Sequence, residues 1–123
     1  MKVKLLKFDT VLNNGCLFTH AVASKIVDNL KGKTLEAYVM CPGQSTHDVQ
    51  TNPGQAVAFA NNIQMDHDDS AIVGDLTFYS TPYAGFVSQM TFNASLCGNG
   101  KTIQKFDHAE VYEYDPTIVI LKT

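Results

Sequence analysis

Strand-like segments recur along the chain and outnumber the helical ones, and this pattern limits the folds open to it. Residues 2–11 alternate lysine with large apolar side chains, as a half-buried strand does. Further strands are predicted at residues 35–41, 55–62, 71–79, 102–106 and 109–121. Because strands and helices do not alternate one for one, a parallel doubly wound sheet is not expected. The sequence predicts an α+β fold with a mostly antiparallel β core, either a small barrel or a sandwich, and two short helices.

The two predicted helices are marked by apolar spacing and by capping residues. In residues 19–30 apolar side chains recur at helical spacing, with Thr19 as an N-cap and Gly32 just past the end. The second helix begins at Thr81 and Pro82, a threonine cap followed by proline at the first helical position. Its apolar face is predicted to consist of Tyr83, Phe86, Val87 and Met90.

Turn signals separate these elements. Residues 13–15, 41–43 and 98–100 combine glycine with asparagine or proline, which favours turns. Residues 66–69, Asp-His-Asp-Asp, lie between two predicted strands and are expected at the charged tip of a hairpin. Their side chains suit divalent ions, but they lack the spacing of a calcium loop, so a solvated tip is predicted instead. We expect no metal and no cofactor.

Length and charge exclude several classes of protein. The 123 residues suit one domain, residues 1–123. Nine basic and twelve acidic side chains give 9 − 12 = −3, without the basic stripe of a nucleic-acid binder. No apolar run is long enough to cross a bilayer, and residues 1–7 do not resemble a signal peptide. Three cysteines without close pairing predict neither a disulfide framework nor a zinc site. The predicted protein is soluble, in a reducing cytoplasm, and binds neither nucleic acid nor membrane.

Two side chains, His47 and Ser95, have types that suit nucleophilic catalysis. A serine hydroxyl needs a nearby imidazole to take its proton, and the imidazole needs an orienting partner. His47 is predicted in a loop after a strand, and Ser95 in a turn or short strand before two glycines. Candidate acidic partners are Glu110, Glu113 and Asp115. The alternatives are an exposed loop histidine and a serine that satisfies local backbone groups.

The order of these elements resembles the bacteriophage prohead (head maturation) protease family, whose fold is related to the herpesvirus assemblin proteases. Residues 12–18 and the helix after them are similar to the family's opening strand, Asn-rich turn and helix. Thr46-His47-Asp48 resembles the family's histidine landmark, and residues 72–78 followed by Thr-Pro resemble its next strand and helix. Around the nucleophile the family carries Gly, aliphatic, Ser, Ser or Thr, Arg, Gly, any, Gly. Residues 94–100 resemble this signature at the serine and at both later glycines.

The resemblance implies specific roles for these residues. Ser95 would be the nucleophile, His47 the general base and Glu110 the acidic partner, with Glu113 and Asp115 open because a one-residue register shift exchanges them. Gly98 and Gly100 would let the chain turn tightly near an oxyanion site. The chain departs from the signature where Leu96 replaces the second hydroxyl residue and Cys97 replaces the arginine. Cys97 is expected to pack as a small buried hydrophobe, the alternative being a thiol nucleophile.

Two functions follow from the resemblance. The first is a capsid-associated auxiliary or decoration protein of a phage head, with catalysis eroded, located in the virion and assembled in the host cytoplasm. The second is a serine endopeptidase that cleaves scaffold and capsid proteins during head maturation. The expected partners are the major capsid protein or other head proteins, and a homo-oligomer is possible. Binding is expected either by strand addition at residues 2–11 or by charge at the tip that contains Asp66, Asp68 and Asp69.

Overall fold

A computed structural model describes all residues from Met1 to Thr123. The strands are β1 (Lys2–Lys7), β2 (Cys16–Phe18), β3 (Leu35–Met40), β4 (Ala58–Asp66), β5 (Ala71–Phe78), β6 (Asn93–Gln104) and β7 (Ala109–Lys122). The helices are α1 (His20–Asn29), α2 (Thr46–Thr51) and α3 (Pro82–Ser88). The predicted α+β class with a mostly antiparallel sheet is confirmed, although there are three helices and not two. None of the helices is both long enough and apolar enough to cross a membrane.

The strands form one curled, half-barrel sheet in the order β1-β5-β4-β3-β7-β2, and β6 pairs with β7. The β2–β7 and β3–β7 pairs are parallel, and the other four pairs are antiparallel. The half-barrel is open between β1 and β6. Each of these two strands therefore has one edge that pairs with no other strand. They approach to within 8 Å between Cα atoms without forming a ladder. We call this gap between β1 and β6 the seam.

Helix α1 follows its sequence signals closely. The Thr19 hydroxyl accepts a hydrogen bond from the Val22 amide at 3.3 Å, which caps the first turn. Ala23, Ile26 and Val27 are buried and belong to the main core, which contains 21 buried residues. The helix thus packs onto the inner face of the sheet, against β4 and β7.

A second, smaller core cluster holds α2 in place. It contains Val49 of α2, Cys97 of β6 and Ile120 of β7, all buried. Because these three side chains come from three different elements, they fix α2 beside the open end of the β6–β7 hairpin, away from its tip. This is the part of the molecule that contains Ser95.

The predicted turn at residues 98–100 is wrong, because β6 runs through it without interruption. A Cβ atom at Gly98 would overlap the carbonyl oxygen of Asp115 and lie 2.6 Å from the Cα of Pro116. A Cβ atom at Gly100 would lie 2.7 Å from the ring of Tyr114. The register also shifts after Cys97, as at a β-bulge. The glycines therefore permit close contact with β7, not a chain reversal.

The predicted apolar face of α3 is also largely wrong. Ala84 and Val87 point into the core, whereas Tyr83, Phe86 and Met90 are exposed, Phe86 at 65 %. Positions 83, 86 and 90 share one side of a helix at 3.6 residues per turn, and positions 84 and 87 share another. This seven-residue helix packs through its small residues, so its large apolar side chains face outward.

Candidate functional site

His47 lies in helix α2, not in the loop that the sequence predicts. The Ser45 hydroxyl accepts from the Asp48 amide at 3.2 Å, and the Asp48 carboxylate accepts from the Ser45 amide at 2.8 Å. These reciprocal bonds form a capping box, and the hydrogen bonds from Ser45 lower the pKa of Asp48. The Ser-x-x-Asp spacing is the sequence signal that identifies this helix start. Asp48 therefore stabilises the helix end and is not a partner of the imidazole.

The His47 side chain is exposed at the second position of α2. Its ring makes no hydrogen bond with another side chain, and Thr51 contacts only its backbone carbonyl, at 3.0 Å. Nothing in the structure orients the imidazole towards a nucleophile.

Ser95 lies on β6, opposite Ile120 of β7, and is partly buried. Its hydroxyl donates to the carbonyl oxygen of Leu96 at 3.1 Å, a local bond within the strand. A general base must come within about 2.6–3.2 Å of the hydroxyl, or reach it through one water. No hydrogen bond joins Ser95 to His47.

A cavity of about 330 Å³ adjoins Ser95 on the α2 side. Thr46 and Gln50 of α2 contribute to its wall, but His47, which lies between them in sequence, does not. The rest of the wall is apolar, hydroxyl, thiol, amide or glycine in character. No histidine, aspartate, glutamate, lysine or arginine lines this cavity. Helix α2 therefore lies beside Ser95, but the cavity between them contains no side chain that could act as a general acid or base near neutral pH.

The acidic candidates are spread along the β6–β7 hairpin. Glu110 lies opposite Ile103, eight residues along β6 from Ser95, which is about 26 Å of extended strand at ~3.3 Å per residue. Glu113 binds the ammonium of Lys101 at 3.0 Å, and Asp115 is exposed opposite Asn99. The structure therefore does not bring Glu110 to Ser95. Glu110 is far from Ser95 because β6 continues to Gln104 before the chain reverses. A turn at residues 98–100 would have made the hairpin about half as long.

Cys97 and Tyr114 keep the cavity wall uncharged. Cys97 is buried, as expected of a small hydrophobe, and burial raises the pKa of its thiol, which disfavours the thiolate nucleophile. Burial also raises the pKa of Tyr114 to about 12, and its ring packs edge-on against Phe18 at 5.0 Å. No group of three or more His, Cys, Asp and Glu side chains in the chain is arranged to hold a metal ion.

A second, open groove of about 620 Å³ lies along the seam and shares Leu6, Leu12 and Ser95 with the first cavity. Its walls are Val3–Lys7 of β1, Leu12 and Asn13, and the segment from Phe92 to Ser95. The groove contains lysine residues, but Lys4 binds the Asp69 carboxylate at 3.2 Å. Ser95 thus lines both the neutral cavity and the groove that contains Lys4 and Lys7.

The acidic hairpin tip is built by its own side chains. The Asp66 carboxylate accepts hydrogen bonds from the amides of Asp68 at 3.1 Å and of Asp69 at 3.3 Å. Asp69 in turn binds Lys4 of β1. Part of the negative charge therefore stabilises the turn and is neutralised locally.

Comparison with solved structures reveals a likeness to the bacteriophage T4 capsid assembly protease, gp21, with a TM-score of 0.76. The alignment covers 100% of this chain and 80% of that chain at 13% sequence identity. No protein-family model matches the sequence. No curated protein matches it either. At this identity the likeness concerns the fold alone, and the chain has a prohead-protease-like fold.

Proposed function

We propose that this chain is a capsid-associated structural protein of a phage head that uses a prohead-protease-like fold without protease activity. The fold likeness supports a phage-head context for the proposal. The observation that carries it is the neutral cavity beside Ser95, whose wall contains no general base. The Ser95 hydroxyl instead donates to the backbone within its own strand.

The absence of a base matters because an unassisted serine is a poor nucleophile at neutral pH. A positioned general acid or base typically contributes a factor of about 10² to 10⁴ in rate. The replacement of the signature's arginine by buried Cys97 removes a second polar group from the same region. Both features favour a scaffold that is retained for binding.

The free edge of β1 is the surface that we propose binds the major capsid protein. Met1 and Leu76 exchange backbone hydrogen bonds of 3.2 and 2.7 Å, which fixes the direction of the β1–β5 ladder. Backbone groups alternate in direction along an antiparallel pair. The amides of Lys2 and Lys4, which lie opposite Asp75 and Val73, therefore point away from β5 towards the seam.

The lysines of β1 favour a particular kind of partner. Lysine side chains on an exposed edge oppose pairing with a second copy of the same edge. They attract an extended segment that carries acidic residues. Because neighbouring strands lie about 4.8 Å apart, a strand inserted in the seam needs about 9.6 Å between β1 and β6. Some of their Cα atoms lie within 8 Å of each other, so full insertion requires the seam to widen there by at least about 1.6 Å.

Replacing Lys4 by proline is expected to weaken binding to assembled major capsid protein about tenfold, since it removes a seam-facing amide and adds a ring at the edge. Lys4→Ala is the matched control, because it also loses the ion pair with Asp69 but keeps the amide. The measurement is co-sedimentation with capsid shells over a range of concentrations. Equal binding by the proline and alanine variants would rule out strand addition at β1. No binding by the native chain would contradict the proposed function.

The alternative function, a maturation endopeptidase, is favoured by one observation. Thr46 lies on the wall of the cavity beside Ser95, and His47 is the next residue of α2. A rearrangement of α2 on substrate binding would then have to bring the imidazole to the hydroxyl. This function requires cleavage of head proteins that depends on Ser95.

A further inference from the structure

The outer half of β6 has a second free edge that differs in character from β1. Residues 99–104 are exposed, and β6 pairs only with β7. A long exposed strand edge presents unpaired amides and carbonyls to any strand that lies beside it. The edge is therefore competent to extend the sheet.

The hydrogen bonds at the end of the hairpin show which backbone groups face outward. The Lys105 amide donates to the carbonyl of His108 at 2.8 Å, so these two residues form a hydrogen-bonded pair. The amide of Ala109, opposite Gln104, turns away from β6 and donates to Gly15 at 2.9 Å. By alternation, the backbone groups of Gln104 and Thr102 point to the free edge.

The lysines of β1 oppose pairing between two copies of that strand, but the β6 edge has too few charged side chains to do so. Residues 98–104 contain a single charged side chain, Lys101. Its ammonium is already bound to Glu113 of β7 at 3.0 Å. The β6 edge therefore lacks the several lysines that oppose edge-to-edge pairing at β1.

Exposed apolar side chains accompany the edge. Ile103 is 51 % exposed, Tyr112 is 53 % exposed, and Phe106 at the hairpin tip is fully exposed at 103 %. Ile103 lies opposite Glu110, and Tyr112 is two residues further along β7. Because side chains two residues apart lie on the same face of a strand, Ile103 and Tyr112 share the outer face. Isolated exposed apolar residues are common, but three on one hairpin provide area for an interface.

We propose that two copies of the chain pair antiparallel through the free edges of β6, around a twofold axis at Thr102. This inference is independent of the function proposed above. In this register the outward groups of Thr102 face the partner's Thr102, and Gln104 lies opposite the partner's Gly100. Lys101 lies opposite the partner's Ile103, so no like charges face each other.

The same register pairs the β6 edges alone, because Phe106 lies beyond Gln104, the last residue of β6. The pairing is isologous and closes at two copies, because each β6 has one free edge. A β6–β6 contact would join the two half-barrels into one continuous sheet.

Sedimentation equilibrium between about 1 μM and 1 mM, which spans weak to moderate affinities, tests the pairing. The native chain is expected to shift reversibly from 13.5 kDa to twice that mass as concentration rises. Thr102→Pro removes an outward amide without removing a bond to β7, and it should stay monomeric. Thr102→Val keeps the amide and should dimerise like the native chain. Gln104→Pro, at the last residue of β6, is a second variant if Thr102→Pro does not fold.

Hydrogen exchange of the native chain provides a readout that needs no substitution. The amides of Thr102 and Gln104 should become protected as concentration rises. A native chain that is monomeric throughout the range would overturn the proposal, as would proline variants that dimerise normally. Unchanged exchange at both amides in a dimer would also overturn it, because another surface would then hold the copies together.

Discussion

Replacing Gly98 by alanine is expected to destabilise the protein by about 3 kcal/mol, at the upper end of the cost of overpacking a well-packed site. The new methyl group would overlap the Asp115 carbonyl and lie 2.6 Å from the Cα of Pro116. Both are backbone atoms of β7, which cannot swing aside as a flexible side chain can. Relief requires the β6–β7 ladder to separate near its bulge, close to Ser95.

Gly85→Ala is the matched control for this substitution. Gly85 lies inside α3, and a Cβ atom there has no neighbour within 4 Å. Since glycine costs a helix interior about 1 kcal/mol relative to alanine, this variant should be slightly more stable than the native chain. Urea unfolding measures both effects. If Gly98→Ala were as mild as Gly85→Ala, the close approach of β6 to β7 would be wrong and a turn at residues 98–100 would be restored as the better description.

Alkaline solution is expected to destabilise the protein through Tyr114. Burial raises the pKa of Tyr114 to about 12 in the folded chain, whereas an exposed tyrosine titrates near 10. Between these values the unfolded state binds fewer protons than the folded state, so the free energy of unfolding falls as pH rises. A difference of two pH units corresponds to a loss of up to about 2.7 kcal/mol, nearly complete by pH 12. Below pH 10 this contribution to stability is fully present.

The Tyr114→Phe variant isolates this contribution, since the pKa values of Tyr79 and Cys97 are also raised. It should lose less stability than the native chain between pH 10 and 12 in parallel urea titrations. Tyr112→Phe is the control, because Tyr112 is exposed on the outer face of the same strand and should follow the native curve. Identical curves for all three proteins would mean that Tyr114 is solvated and that the cavity wall is open.

Local signals predict those elements whose stabilising contacts are close in sequence. The cap at Thr19 and the apolar spacing of Ala23, Ile26 and Val27 specify α1 within one residue of its observed ends. The hairpin predicted from residues 55–62 and 71–79 is confirmed by the antiparallel β4–β5 pair. In both cases the contacts that decide the structure are nearby in the chain, so the sequence pattern contains them.

Long-range contacts explain the elements that the sequence does not predict. Gly98 and Gly100 resemble turn residues until the positions of Asp115 and Tyr114 on β7 are known. The outward face of α3 depends on which side of the helix meets the sheet, and Phe86 alone does not reveal this. Helix α2 is different, because its capping box at Ser45 and Asp48 is a local signal that identifies it.

The sequence predicts the elements that carry the candidate site residues less well than the residues themselves, and it does not predict the register and helical phase that set their geometry. The resemblance to prohead proteases places His47 and Ser95 in one region, and α2 does lie beside β6 through Val49 and Cys97. The ladder register sets Glu110 far along the hairpin, and the helical phase of α2 puts Thr46 on the cavity wall. Neither register nor phase can be read from residue types alone.

The proposed function is tested most directly by incubating the native chain and a Ser95→Ala variant with the major capsid protein and scaffold protein of the phage to which we propose the chain belongs. Intact masses of all components should be followed over time, together with co-sedimentation of the chain with assembled shells. We expect both forms of the chain to bind the shells and no Ser95-dependent fragment to appear. Fragments of capsid or scaffold protein that form with the native chain and not with Ser95→Ala would contradict the proposed function.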